Sequence, residues 1–288
     1  MEPLLRYDLA DVFTDRPLAG NQLAVFADEG PLDDALMQAV ALEMNLSETV
    51  FRTAPRVGGD VRVRLWSTVT ELDFAGHPML GTAAVLADRR PEDTVELRIE
   101  TNAGVVPVTT VRHAPGRFTA WMDQPLPKIA PASGELARQL LDVLGLESSV
   151  LPVTLYDAGI RHLYVMAETP EAVRGIVPNH PALGAVVGAD HVNVFALTGP
   201  ASAVTRMFSP YDKVPEDPAC GSAAGPLAAH LVRHGLLASG TEITLSQGEA
   251  VGRPSLLYAT AHADADGIRS LRVGGGVCLI GHGRLNLP

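Results

Sequence analysis

The sequence has little cysteine and no long apolar run, and both absences narrow the class of protein. Among 288 residues only Cys220 and Cys278 are cysteines, so neither a disulfide framework nor a thiolate zinc site is expected. No segment approaches the roughly 20 apolar residues of a membrane-spanning helix. The first eight residues lack the basic and then apolar character of a signal peptide. We therefore expect a soluble, cytoplasmic protein.

Basic charge is also scarce. The chain has 22 Lys and Arg against 33 Asp and Glu, which gives a formal net charge of -11 at pH 7. This acidity disfavours nucleic acid and anionic membranes, and we expect neither as a partner. An anionic substrate would need local help, for example from the positive ends of helices.

Sequence motifs of the common cofactor and metal sites are missing as well. There is no strand–GxGxxG–helix unit, Walker loop or HExxH segment, and the nine histidines are scattered without ligand spacing. We therefore expect no metal and no nucleotide cofactor. Apolar residues, in contrast, are plentiful: 47% of the chain is hydrophobic and 19% is charged, as in a globular protein with an ample core.

Two stretches share one order of residues: an acidic loop, a glycine, a polar residue and a helix of small residues. Such a loop delivers a helix N-terminus, where unpaired amides and the helix dipole attract an anion. An ordinary capped helix is the alternative interpretation of either one. Because one stretch falls in each half of the chain, we predict two related lobes. The stretches are 71–84, with Gly76-His77, and 214–230, with Gly221-Ser222.

A single acidic residue stands where a predicted helix gives way to a strand. The helix ends at Asn45, and Glu48 precedes the β-branched and aromatic run Thr49-Val50-Phe51. Burial here would raise the pKa of the carboxyl group, which could then take up and return a proton near neutral pH. The alternative is a solvated carboxylate at the edge of the strand.

The rest of the pattern predicts many short strands and few helices. Pro125 and Pro127 mark the best linker, because two close prolines break both helix and sheet. Arg161 and His162 alternate in direction along one strand, and Arg161 is the stronger candidate for ordering a cleft. Strands are predicted at 11–14, 23–26, 61–66, 94–100, 105–112, 117–122, 150–156, 161–166, 192–197, 204–208, 242–246, 255–260 and 270–273, and helices at 31–44 and 134–144.

Taken together, these segments resemble the PhzF-like family of phenazine-biosynthesis isomerases, which has the diaminopimelate-epimerase-like fold. The likeness covers nearly the whole chain, and it depends on the order and spacing of the motifs. The matching motifs are 20–26 (GNQLAVF), 44–48 (MNLSE), 74–78 (FAGHP), 81–83 (GTA), 161–162 (RH), 207–210 (MFSP), 221–228 (GSAAGPLA), 247–248 (QG) and 252–256 (GRPSL).

The resemblance implies an α+β protein of two pseudo-symmetric lobes. Each lobe would be a curved, mostly antiparallel sheet wrapped around one central helix, with the active site between lobes. We assign 1–124 to the N-terminal lobe, with 281–288 as a candidate completing segment, and 125–280 to the C-terminal lobe. The resemblance further implies a homodimer without cofactor or metal that acts on a small-molecule carboxylate. The family's characterised reaction isomerises trans-2,3-dihydro-3-hydroxyanthranilate by moving a proton between two ring carbons.

The resemblance also implies roles for individual residues. Glu48 matches the proton-transferring glutamate, and His77 and Asp217 match polar groups that position the substrate. One carboxyl that removes a proton and returns it on the same face needs no second base. Developing enolate charge would be met by fixed amide dipoles. The residues implied to bind substrate are Asn21, Ser47, Gly76, Gly221 and Ser222.

Two positions depart from related patterns. Epimerases of this fold use two opposed cysteines, whereas here Cys220 occupies one such position and Ala75 the other. This excludes a two-thiol racemase and leaves open whether Cys220 acts alone, with its pKa lowered at a helix N-terminus, or only packs. Asp73 stands where phenazine-type members tend to carry proline. The alternatives are therefore an epimerase or lyase acting on another amino or hydroxy acid, and a non-catalytic binder of small acids.

Overall fold

The chain divides into two compact units. The computed structural model describes residues 4–27, 30, 32–211 and 215–286. The first unit is Met1–Asp123 with Gly274–Pro288, and the second is Gln124–Val273. The chain thus returns to the first unit at Gly274. We had placed the start of the segment that completes this unit later, at residue 281. Parts of three predictions lie outside the described residues, namely Pro31 of the helix 31–44, Val214 of the loop 214–230, and residues 287–288.

Short strands make up most of the regular structure. The strands are β1 (Leu4–Val12), β2 (Asn21–Phe26), β3 (Glu48–Thr53), β4 (Val61–Trp66), β5 (Glu71–Leu72), β6 (Thr94–Thr101), β7 (Gly104–Ala114), β8 (Arg117–Gln124), β9 (Lys128–Pro131), β10 (Thr154–Asp157), β11 (Arg161–Met166), β12 (His191–Gly199), β13 (Ser202–Phe208), β14 (Glu216–Asp217), β15 (Glu242–Gln247), β16 (Ser255–Asp264) and β17 (Gly267–Asn286). The helices are α1 (Asp34–Met44), α2 (Gly76–Ala87), α3 (Gly134–Leu144), α4 (Pro170–Gly175), α5 (His180–Val187) and α6 (Gly221–Arg233).

The first unit packs a mostly antiparallel sheet on one buried helix. Strands β2 and β3 are parallel, as are β4 and β6, whereas β1–β2, β3–β4, β6–β7 and β7–β8 are antiparallel. Every residue of α2 except Leu86 is buried. Space beside the helix is tight, because a Cβ atom on Gly81 would lie 2.4 Å from Cδ2 of Leu23 on β2. Side chains of the sheet therefore pack closely against the glycine of α2.

The second unit repeats this order of elements. Strands β11 and β12 are parallel, as are β13 and β15, and a two-residue strand, β14, leads to the buried helix α6 as β5 leads to α2. Within α6 only Ser222, Val232 and Arg233 are not buried. The predicted α+β class, with a mostly antiparallel sheet around a buried helix in each unit, is confirmed.

Two short helices of the second unit were not predicted. Thr169 caps α4 by accepting the amide of Ala172, and Asn179 caps α5 in the same way. Both have proline in the first turn, where a missing amide hydrogen costs nothing. Six and eight residues are too few for a clear helical period. The predicted helix 134–144, by contrast, coincides with α3, which is long enough for its leucines to show a clear helical period.

The glycine run 274–276 lies inside β17, and the strand continues through it without a break. A Cβ atom on Gly274 would lie 2.3 Å from the ring of Trp121, and one on Gly276 would lie 2.4 Å from the carbonyl oxygen of Thr14. These glycines thus let neighbouring backbone and ring atoms approach the strand.

The buried carboxylate of Glu100 is expected to stabilise the first unit. Its two oxygens accept the amides of Arg56, Val57 and Gly59, each at 2.7 Å. Burial alone would raise the pKa of Glu100, but these amides, with the charge of Arg62, hold it below the usual 4.5.

We expect Glu100→Gln to lower the thermal midpoint by several degrees at neutral pH, because its NH2 group would face amide donors. The folded-state pKa is depressed, so the stabilisation is present above pH 4.5 and is lost as the pH falls further. The difference between the two proteins should therefore shrink in acid. Calorimetry at several pH values measures both effects, and a difference that is absent at neutral pH would contradict the assignment.

No helix within the described part of the chain is long and apolar enough to cross a membrane.

Candidate active site

The first unit brings Asn21, Glu48 and His77 together. Asn21 begins β2 and Glu48 begins β3, and the parallel register pairs Leu23 with Glu48, so both side chains lie at one edge of the sheet. Asn45 ends α1 in the left-handed conformation (φ 52°) and turns the chain into β3. His77 is the second residue of α2. Its Nδ1 atom lies 3.3 Å from Nδ2 of Asn21 and 3.5 Å from Oε2 of Glu48.

Burial determines the charge of His77. The side chain is 3% exposed, and burial lowers its pKa to about 3, although a hydrogen bond with the backbone of Gln22 opposes the shift. The imidazole is therefore neutral at physiological pH, and its contact with Glu48 is not an ion pair. The Glu48 side chain is 18% exposed. Nε2 of His77 is buried and has no hydrogen-bond partner among the described residues. The hydrogen-bonding capacity of that nitrogen is therefore unused within the described part of the chain.

The other predicted residues of the first unit lie beside this group in the chain. Ser47 is half-buried and precedes Glu48, and Gly76 is buried and begins α2. The N-cap residue of α2 is Ala75, which supplies no side-chain hydrogen bond to the helix amides. Asp73 is exposed, and its carbonyl oxygen accepts the amide of Ala103 at 3.1 Å.

In the second unit, a buried glutamine holds the loop that contains Asp217. Nε2 of Gln247 donates to the carbonyl of Asp217 at 2.8 Å. Its Oε1 accepts the hydroxyl of Thr205 at 3.1 Å and the amide of Cys220 at 3.5 Å. The carboxylate of Asp217 in turn accepts the amide of Ala219 at 3.2 Å. The Gln247 side chain therefore holds the loop at Asp217 and at Cys220.

Ser222 is the second residue of α6, as His77 is of α2. It is half-buried, and its Oγ lies 3.0 Å from Nε2 of His162 and 3.3 Å from Sγ of Cys220. Gly221 is buried, and its carbonyl accepts Nε2 of Gln124 at 2.9 Å. Cys220 is the N-cap residue and makes no side-chain hydrogen bond to the helix amides.

Arg161 and His162 lie on opposite faces of β11 and have different surroundings. Arg161 is exposed and forms an ion pair with Asp190, whereas His162 is buried and contacts Ser222. The neighbouring Tyr164, two residues on, donates its hydroxyl to the carbonyl of Ala223 at 2.7 Å. The same face of β11 thus supports the first turn of α6. The alternation of polar aromatic residues at 162 and 164 was the available signal, together with the glutamine at 247.

Within the described ranges, no three His, Cys, Asp or Glu side chains come together in a way that could hold a metal ion.

Each unit thus presents a polar residue at the start of a buried helix, and this architecture matches solved structures. A phenazine biosynthesis protein of the PhzF family from Bacillus anthracis superposes with a TM-score of 0.86 at 22% identity, over 98% of this chain and 99% of that one. A predicted epimerase from Pseudomonas aeruginosa superposes with a TM-score of 0.81 at 35% identity, with the same coverage. The fold is that of PhzF proteins.

Sequence comparison identifies the family. The model of the family described as phenazine biosynthesis-like protein matches residues 10–283. The trans-2,3-dihydro-3-hydroxyanthranilate isomerase of Pseudomonas fluorescens is 41% identical over 281 residues, which cover 98% of this chain and 99% of that protein. The chain therefore belongs to the phenazine biosynthesis-like family, as its motifs predicted, and it is an isomerase.

Proposed function

We propose that the protein isomerises trans-2,3-dihydro-3-hydroxyanthranilate, with Glu48 as the general acid and base. The observation that supports this most directly is the Glu48 carboxyl, 3.5 Å from the buried and neutral ring of His77. The Pseudomonas fluorescens relative is named for the same reaction. No second acid is required, since one carboxyl serves both steps if the proton leaves and returns on the same face.

In the proposed reaction, Glu48 breaks a C–H bond and forms another. It removes the proton from the ring carbon that bears the hydroxyl, the ring double bonds shift, and the same proton is delivered to the carbon that bears the carboxylate. The enol that results then becomes a ketone. A cationic neighbour would hold Glu48 in its ionised form and weaken it as a base, whereas neutral His77 lets the carboxylate take up the proton that it later returns. Nε2 of His77 is the atom proposed to contact the substrate.

The remaining residues are assigned to substrate binding. The Ser222 hydroxyl and the amides of Gly221 and Ser222 would bind the carboxylate, since the first amides of α6 receive no side-chain cap. Asp217 would bind the amine or hydroxyl group. Asn21, Ser47 and Gly76 are proposed to line the Glu48 side of the substrate.

The reaction is tested by following the compound in deuterated water by proton NMR. We expect purified protein to consume trans-2,3-dihydro-3-hydroxyanthranilate and to form the ketone, with hydrogen at the carboxylate-bearing carbon. The Glu48→Gln protein at equal concentration is the control for spontaneous conversion. An unchanged compound, at protein concentrations that convert other acids, would refute the proposed substrate.

An epimerase or lyase that acts on another amino or hydroxy acid is the second candidate. Cys220 favours it, because its thiol stands at the start of α6, 3.3 Å from the Ser222 hydroxyl. The 35% identical structure from Pseudomonas aeruginosa is described as a predicted epimerase. Ala75 leaves no second thiol at the corresponding position before α2. A panel of small acids distinguishes the candidates, because only an epimerase or lyase would exchange the α-hydrogen of a panel member while leaving the dihydrohydroxyanthranilate intact.

The family resemblance also supports a homodimer. Light scattering on the purified protein should give about twice the mass of the 30.4 kDa chain. A mass of one chain across the accessible concentration range would refute this assembly.

A further inference from the structure

A row of polar side chains leads from β12 to the start of α6. Nδ2 of Asn193 lies 3.1 Å from Nδ1 of His162, and Nε2 of His162 lies 3.0 Å from Oγ of Ser222. Asn193 is 2% exposed and His162 is 1% exposed, whereas Ser222 is only half-buried. All three belong to the second unit. Two buried side chains, Asn193 and His162, thus form a row of contacts that leads to the hydroxyl group of Ser222, which a ligand can reach.

The chemistry of the groups fixes the direction of each hydrogen bond. The amide nitrogen of Asn193 can only donate, so Nδ1 of His162 accepts. Burial, with a smaller contribution from the adjacent His191, holds the pKa of His162 well below 6.5, so the ring is neutral. Its one hydrogen therefore sits on Nε2 and is donated to Oγ of Ser222.

We propose that His162, oriented by Asn193, is a positioning residue that makes the Ser222 hydroxyl a hydrogen-bond donor to the substrate carboxylate. This rests on the proposed function, in which Ser222 binds that carboxylate. A hydroxyl that rotates freely can present either its hydrogen or a lone pair. Once Nε2–H occupies a lone pair, the hydroxyl hydrogen has to go to another acceptor. Sγ of Cys220, at 3.3 Å, is a weak acceptor that a carboxylate would replace.

The first unit has the same arrangement of elements around its own site residue. There the parallel pair β2–β3 supplies Asn21 and Glu48 to His77, and here the parallel pair β11–β12 supplies the two residues behind Ser222. In both units the contacted residue is the second of the buried helix. In each unit, a parallel strand pair therefore supplies the side chains that orient the polar residue at the start of the buried helix.

Variants of His162 test the role through binding. His162→Gln keeps an N–H donor near the position of Nε2, whereas His162→Phe fills the space without a donor. We expect the Phe variant to raise KM by about 5- to 100-fold, with a much smaller change in kcat, because a carboxylate contact acts in the ground state and the transition state alike. The Gln variant should recover most of the loss. A Phe variant that folds, as judged by its thermal midpoint, and keeps the KM of the original protein would refute the proposal.

A double-mutant cycle separates this inference from the proposed function. Ser222→Ala alone should raise KM, and adding His162→Phe to it should cost little more, since both changes remove one interaction. An unchanged KM in Ser222→Ala would refute the assignment of Ser222 to the carboxylate. A raised KM in Ser222→Ala, with additive and independent effects of His162→Phe, would leave that assignment intact and refute the positioning role.

The tautomer of His162 can be read in the original protein, and a variant is needed only to assign its resonance. Nitrogen-15 NMR of histidine-labelled protein distinguishes a ring protonated on Nε2 from one protonated on Nδ1. We expect a neutral ring with its hydrogen on Nε2 at neutral pH, and His162→Gln identifies the resonance by its loss. A hydrogen on Nδ1 would overturn the proposal, because Nε2 would then accept from Ser222 and withdraw its hydroxyl hydrogen from the substrate.

Discussion

Glu48→Gln is expected to lower kcat by about 10²- to 10⁴-fold, the range that general acid–base catalysis supplies. The amide cannot remove a proton from carbon, yet it has nearly the size of the carboxyl group and can remain beside His77. We therefore expect KM to change little, since the interaction that is lost belongs to the transition state. Steady-state kinetics with trans-2,3-dihydro-3-hydroxyanthranilate, and the rate of ketone formation followed by proton NMR, measure the effect.

The matched control is Glu43→Gln, the same substitution at an exposed glutamate of α1. It should retain full activity. Near-full turnover by Glu48→Gln would show that another group moves the proton. The pH dependence gives a second check, because the pKa of His77, about 3, lies below the working range. Its ionisation should therefore be invisible in the rate profile between about pH 5 and pH 8.

Local sequence patterns predicted the elements of the candidate site better than its assembly. The end of α1 at Asn45 and the strand that begins at Glu48 follow from residue spacing alone. The contact of Glu48 with His77, in contrast, depends on the parallel pairing of β2 with β3 and on the packing of α2 against them. Such pairing joins residues far apart in the chain. Only the family resemblance carried that information at the sequence level.

Dependence on tertiary packing also explains why the contact between His162 and Ser222 was not predicted. Alternation along β11 showed that Arg161 and His162 point to opposite faces, but the face that meets α6 is set by tertiary packing. Arg161 was the stronger candidate in the sequence, whereas in the structure the buried His162 contacts the hydroxyl of Ser222. The boundary of the first unit also depends on tertiary packing, because β17 is one uninterrupted strand whose residues are divided between the two units at Gly274.

The three buried histidines are expected to make the fold labile in mild acid. His77 and His230 are 3% and 0% exposed, and burial lowers the pKa of each from 6.5 to about 3, while that of His162 also lies well below 6.5. The unfolded chain therefore binds protons below pH 6.5 that the folded chain does not, so stability falls as the pH falls. The loss continues until the pH reaches the folded-state values.

The expected loss is large compared with the stability of a domain. Each such histidine lowers the free energy of unfolding by about 1.4 kcal/mol per pH unit. His77 and His230 together therefore cost about 4 kcal/mol at about pH 5, of a total stability of about 5–15 kcal/mol.

Urea unfolding at about pH 7 and about pH 5 measures the difference. His230→Gln cannot take up the proton and should reduce the pH dependence by about one proton. The contribution of Glu100, whose folded-state pKa lies below 4.5, is lost in more acidic solution than that of the histidines. Equal unfolding free energies at the two pH values would mean that these rings accept protons within the fold, and His77 could then not be the neutral neighbour that Glu48 requires.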